Sequence, residues 1–152
     1  MRRLAILVAD GHSHTLTFLQ SILEPTYRVV GTVEDGPSLI AAAQALRPYL
    51  VLTNVDLPIL NGIEATRELH KVAPGCRVVC HSPRNEPGVM AAAFAAGASG
   101  FLVRHINREF ASSIQAVIKQ IQTEERLGMH MRAHSHARTI GALSYRLTSH
   151  SL

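Results

Sequence analysis

The chain has 152 residues and is 47% hydrophobic, enough for one domain around one core. Fifteen Lys and Arg, thirteen of them Arg, face eleven Asp and Glu, for a formal charge of +4. That balance excludes an acidic disordered chain and an acid-rich calcium protein; it permits a polyanion partner without requiring one. No apolar run is long enough to span a bilayer, and residues 4–9 are too few for a signal-peptide core. Cys76 and Cys80 are the only cysteines, too few for a disulfide framework, so a reducing cytoplasm is the expected setting.

Leu4 to Ala9 is a short apolar run ended by Asp10-Gly11, and it reads as a buried strand. A helix comes next, with Leu16, Phe18, Leu19, Ile22 and Leu23 on one side, stopped by Pro25. Residues 27–33 read as a second strand. Gly36-Pro37 opens a helix carrying Leu39, Ile40, Ala43 and Leu46. Leu50 to Thr53 is a third strand, and Pro58 with Asn61-Gly62 punctuates the loop after it. Ile63, Thr66, Leu69 and His70 mark a third helix. Residues 77–81 form strand four, an alanine-rich helix covers about 87–96 and closes at Gly97, and residues 100–103 form strand five. A last helix from about residue 107 places Phe110, Ile114, Val117, Ile118 and Ile121 at helical spacing. Val103, Ala116 and Ile118 are expected to leave apolar surface on another side.

Five apolar strands, each followed by a helix, predict a parallel sheet with helices on both faces, doubly wound. Its crevice lies beyond the carboxyl ends of the strands. Those ends are Asp10-Gly11, Asn54, Ser82 and Arg104, remote in sequence but expected in one pocket. The pattern decays after about residue 121. Residues 122–152 read as a helix extension and a flexible tail, holding His130, His134, His136 and His150. His130, His134 and His136 could hold a metal if the tail were helical, but a solvated tail is the default. Cys76 and Cys80 lack the second pair a zinc site needs. His12 is expected to play a local structural role, and His81 to lie beside the pocket.

These pocket segments resemble the receiver domain of bacterial two-component response regulators, the CheY-like superfamily, nearest its NarL/LuxR class. Leu7 to His12 resembles the acidic-pair segment. Leu52 to Gly62 resembles the phosphoacceptor loop, D-x-x-x-P-x-x-x-G. Ser82 ends strand four where the family has Thr or Ser, and Gly97 to Arg104 resembles G-A-x-G-[YF]-L-x-K. The resemblance covers roughly residues 1–121. It implies a flavodoxin-like (βα)5 fold with sheet order 2-1-3-4-5 and a C-terminal tail. It also implies a role in phosphorelay signal transduction.

The departures carry the information. The family's phosphoacceptor Asp falls on Asn54, because Pro58 and Gly62 stand four and eight residues after it. Asp56 would put them at two and six, so it belongs to the loop. A neutral carboxamide is a poor nucleophile toward a phosphoryl group. The acidic pair keeps only Asp10, since its partner is Gly11, and the family Lys is replaced by Arg104. Asp10 and Arg104 sum to zero charge, so Mg²⁺ binding is expected to be weak or lost and no other cofactor is implied. Arg104 is expected to pair with Asp10 or Asp56 through its planar fork. Ser82 and Phe101 hold the family's switch positions; the simpler expectation is that Ser82 caps a strand end and Phe101 packs in the core.

The expected function is therefore a stand-alone pseudo-receiver, not an enzyme, acting by protein–protein contact. Its expected partner is a histidine kinase, another regulator or a second copy through strands four and five and the last helices. A DNA-binding transcriptional response regulator is the alternative, although a tail charge of +2 over residues 122–152 is too small to imply nucleic acid. No membrane partner is expected. Restoring acids at positions 11 and 54 would lower the formal charge from +4 to +2.

Overall fold

In a computed structural model, residues 2–128 are described. The elements alternate as expected: β1 (Ala5–Ala9), α1 (Ser13–Leu23), β2 (Arg28–Val33), α2 (Gly36–Leu46), β3 (Leu50–Asn54), α3 (Gly62–Val72), β4 (Arg77–Ser82), α4 (Pro87–Ala95), β5 (Gly100–Val103) and α5 (Glu109–Arg126). All strand pairs are parallel, and the sheet order is β2-β1-β3-β4-β5. The fold is the doubly wound, flavodoxin-like sandwich.

Alternation along the strands divides the core in two, because successive side chains point to opposite faces. Leu7, Ala9, Val51, Val78, Cys80 and Phe101 pack against α2, α3 and α4 through Leu39, Leu69 and Phe94. Ile6, Val8, Leu50, Leu52, Val79 and Leu102 pack against α1 and α5 through Leu19, Leu23, Phe110, Ile114 and Val117. Burial on both faces is why these strands read as continuous apolar runs.

Local chemistry sets the helix starts. Asp35 accepts from the Ser38 amide at 2.7 Å, with Pro37 in the first turn of α2. Asn61 accepts from the Glu64 amide at 2.9 Å to start α3. After α4, Gly97 turns the chain at φ +110°. A Cβ there would lie 2.4 Å from His70 Nε2, so that turn needs glycine on two counts.

Two expectations about apolar surface change. Val103 and Ile118 do not leave an open apolar face: both are buried, Val103 against the α2–α4 layer and Ile118 in the α1–α5 layer. Their two sides of the sheet are each covered by helices, which an isolated helical pattern does not reveal. Leu46, by contrast, is half exposed, because the last turn of α2 reaches the amino end of the sheet.

At that same end α5 is tied down. Tyr49 Oη donates to Glu125 Oε1 at 2.9 Å, and Arg77 Nε donates to Glu125 Oε2. The Arg77 guanidinium also lies 4.2 Å from the centre of the Tyr49 ring. Burial, then the Glu125 contact, pushes the Tyr49 phenol up to about 12. α5 thus runs past Ile121 to Arg126, and the expected helix extension is present to that point. The expected flexible tail and the possible metal-binding role of His130, His134 and His136 lie outside the described residues.

Candidate functional site

The four strand ends converge at the carboxyl edge of the sheet, where β1, β3, β4 and β5 stand side by side. Asp10 follows β1 and is fully buried. Its Oδ1 accepts from the His12 amide at 3.0 Å and lies 3.4 Å from His12 Nδ1. Its Oδ2 accepts from Asn54 Nδ2 at 3.1 Å and from Arg104 Nη1 at 3.1 Å. Both carboxylate oxygens are therefore engaged by this chain's own donors. Such engagement is what a buried carboxylate requires.

Asn54 ends β3 and is also buried. Its Oδ1 accepts from the Asp56 amide at 2.9 Å while its Nδ2 faces Asp10. The two bonds fix which end of the carboxamide is which, since only the NH₂ can donate to a carboxylate. The loop spacing has a physical cause. Gly62 sits against the acceptor-position residue so closely that a Cβ would fall 2.2 Å from the Asn54 carbonyl oxygen. Gly11 sits under the same loop, where a Cβ would stand 3.1 Å from Pro58 Cδ.

Of the two partners expected for Arg104, the structure pairs it with Asp10, through Nη1 alone and not through both arms of the guanidinium fork. Arg104 is 11% exposed at its side chain, so the pair closes the floor of the pocket rather than decorating its rim. Asp56 is exposed instead, and its Oδ2 lies 3.6 Å from Arg84 Nη2. The Ser82 hydroxyl accepts from the Arg84 amide at 3.2 Å, folding the chain over at the end of β4. Phe101 points inward and is buried in the α2–α4 layer.

His81, expected only beside the pocket, is in direct contact with it. It is 0% exposed, edge-on to Phe110 at 6.2 Å. Its Nδ1 lies 3.4 Å from Arg104 Nη1, and its Nε2 lies 4.0 Å from Asp10 Oδ2. An arginine can only donate, so Nδ1 accepts and Nε2 carries the proton of a neutral ring. Burial, reinforced by the Arg104 charge, pushes the imidazole down to about 3. The available signal was its position: one residue before Ser82 on a strand, it must face the opposite layer, toward α5.

Known proteins share this architecture. The family model for the response regulator receiver domain matches residues 6–125. Response regulator GacA of Pseudomonas protegens is 34% identical over 101 residues, covering 65% of this chain and 47% of that protein. The transcriptional regulatory protein DegU of Brevibacillus brevis is 27% identical, covering 78% and 51%. Among solved structures, the response regulator domain of Thermotoga maritima CheB superposes with a TM-score of 0.69 at 27% identity, covering 80% of this chain and 96% of that one. The chain spans about half the length of the curated relatives DegU and GacA. It belongs to the response regulator receiver family of two-component signalling.

Proposed function

We propose that this chain is a pseudo-receiver, a cytoplasmic signalling module that acts by protein–protein contact without conventional aspartate phosphorylation. The observation that carries the reading is the closed circuit of Asp10, Asn54 and Arg104, in which both oxygens of Asp10 are spent on internal donors. The residue at the acceptor position is a carboxamide, whose nitrogen lone pair is delocalised and whose oxygen carries no full charge. It has little nucleophilicity toward phosphorus.

The donor set does not fit Mg²⁺. The ion prefers hard oxygen ligands and several waters around one or two carboxylates. Here one carboxylate stands with a guanidinium 3.1 Å away, so a divalent cation would have to displace an ion pair and approach a fixed positive charge. No catalytic step is part of this reading. Partners are sought among histidine kinases, other regulators and second copies of the chain.

The test is incubation with acetyl phosphate, or with beryllofluoride and Mg²⁺, read by intact mass and by amide chemical shifts. The expected result is no added phosphoryl mass and no shift at the pocket. Clear phosphorylation overturns the reading. A DNA-binding transcriptional regulator is the second reading, favoured by the similarity to the transcriptional regulatory protein DegU. Salt-dependent binding to duplex DNA would promote it.

A further inference from the structure

The two ends of the sheet carry opposite charge. Arginine stands at the approach to four strands: Arg3 before β1, Arg28 opening β2, Arg47 before β3 and Arg77 opening β4, the last already paired with Glu125. Acids gather at the carboxyl end: Asp10, Glu34 with Asp35, Asp56 and Glu86 in the loops that leave the first four strands, and Glu109 in the first turn of α5. The bases at that end do not offset them. Arg104 is consumed by Asp10, and Arg84 lies between Asp56 and Glu86, leaving Arg108.

Each end also carries an apolar feature. At the amino end, a groove of about 660 Å³ opens between the carboxyl termini of α2 and α3, walled by Val72, Pro74, Cys76 and Tyr49 and rimmed by Arg47 and Arg77. Arg47 is held there in a left-handed conformation at φ +46°. At the carboxyl end, Ile59 projects from the loop after β3 and is 86% exposed. Leu60 N donates to Pro58 O at 2.7 Å across it, so Ile59 is the centre of a three-residue turn at φ +70°. A β-branched residue seldom adopts that region. Acids surround this knob. Asp56 and Glu64 flank it in sequence, each already beside an arginine of this chain, Arg84 and Arg67. The Glu34–Asp35 loop, whose acids make no ion pair among the described residues, abuts it where the Gly36 amide donates to Pro58 O at 3.3 Å.

We propose that the amino-end groove receives the Ile59 turn of a second copy of this chain, giving head-to-tail association. The apolar tip enters the cleft against Val72, Pro74 and Tyr49, and the acids around Ile59 face Arg47 and its neighbours. Groove and knob lie at opposite ends of one molecule, so the contact is heterologous: a joined pair keeps a free knob on one copy and a free groove on the other, and the assembly extends rather than closing as a two-fold pair. The charge pairing makes it sensitive to ionic strength. None of the side chains in this contact belongs to the Asp10–Asn54–Arg104 circuit, although the knob's loop is tied to it where the Asp56 amide donates to Asn54 Oδ1.

The experiment is sedimentation velocity on the full chain over a concentration series at low and high salt. Two variants divide the interface. Ile59→Gly removes the knob, and glycine takes a positive φ without a clash, so that fold is retained. Arg47→Glu reverses the groove's exposed charge. Wild type is expected to show mass above one chain, rising with concentration and lost at high salt. Each variant alone is expected to sediment as a monomer. An equimolar mixture has one good groove and one good knob, and is expected to return to the mass of two chains and no further. Monomeric wild type at every concentration overturns the proposal. So does a variant mixture that stays monomeric, or a variant that assembles like wild type.

Discussion

Arg104 Nη1 stands 3.1 Å from Asp10 Oδ2, joining the first strand of the chain to the last across the two strands that separate them in the sheet. The pair occupies the place where the family keeps an acid cluster and a lysine. It turns a site built around excess negative charge into a neutral one, and the neutrality is held by a single cation.

Replacing Arg104 with methionine keeps most of the side-chain volume and removes that cation. Asp10 cannot reach solvent, so its carboxylate would keep only Asn54 and His12 as donors. Breaking one partner of a buried pair is costly, and the expected loss is about 3 kcal/mol by urea unfolding at pH 7. A loss within experimental error would mean that the pair does not close the pocket.

Asn54→Asp sets a second carboxyl beside Asp10 with one guanidinium to serve both. Two carboxyls sharing a site raise the pKa of one of them. The folded protein then takes up a proton more readily than the unfolded chain, so the penalty is greatest above that raised pKa and shrinks as pH falls. About 2 kcal/mol should be lost at pH 7 and mostly recovered near pH 4, which paired denaturation curves would show.

Adding Gly11→Asp and Arg104→Lys to that change restores the acid count and the compact cation. Gly11 leaves 3.1 Å between a new Cβ and Pro58 Cδ, which a small movement of the proline ring accommodates. The triple variant is expected to gain Mg²⁺-dependent thermal stabilisation, and the native chain to show none. Titration calorimetry with Mg²⁺ is the direct check, and no heat from a folded triple variant would place the acceptor position elsewhere.

His81 should make the fold acid-sensitive. An unfolded histidine takes a proton near pH 6.5, whereas the folded chain holds this one neutral down to about pH 3. Protons therefore favour the unfolded state, and stability falls as pH drops through that window, by about 1.4 kcal/mol per unit from this group. His81→Leu removes the titration, and its stability should change less between pH 7 and pH 4.5. Equal slopes for the two proteins would show that the imidazole is not held neutral.

The sheet was legible because its strands are buried on both faces and so appear as unbroken apolar runs between turn residues. The register of the acceptor loop was legible for a sharper reason. Gly62 is dictated by the backbone packed on Asn54, so the spacing from that residue to the glycine is a steric constraint. Gly62→Ala would place a Cβ 2.2 Å from the Asn54 carbonyl oxygen, and a loss of more than about 3 kcal/mol is expected in thermal unfolding. Other parts were hidden. Asp10 and Asp56 were equal candidates for Arg104 until β5 was set at the sheet edge with its end facing inward. The burial of Val103 and Ile118 depends on the helices that cover each layer. Glu125 meets partners 48 and 76 residues away, a distance no periodicity encodes.

That Glu125 contact fixes where the chain departs from the domain. α5 has 18 residues and is therefore about 27 Å long, with its first turn beside the pocket and its last at the opposite pole. The chain beyond Gly128 starts from that pole, next to the clamp of Tyr49 and Arg77. A protein seated over Arg104 would leave that departure point uncovered. The two poles can therefore be occupied independently.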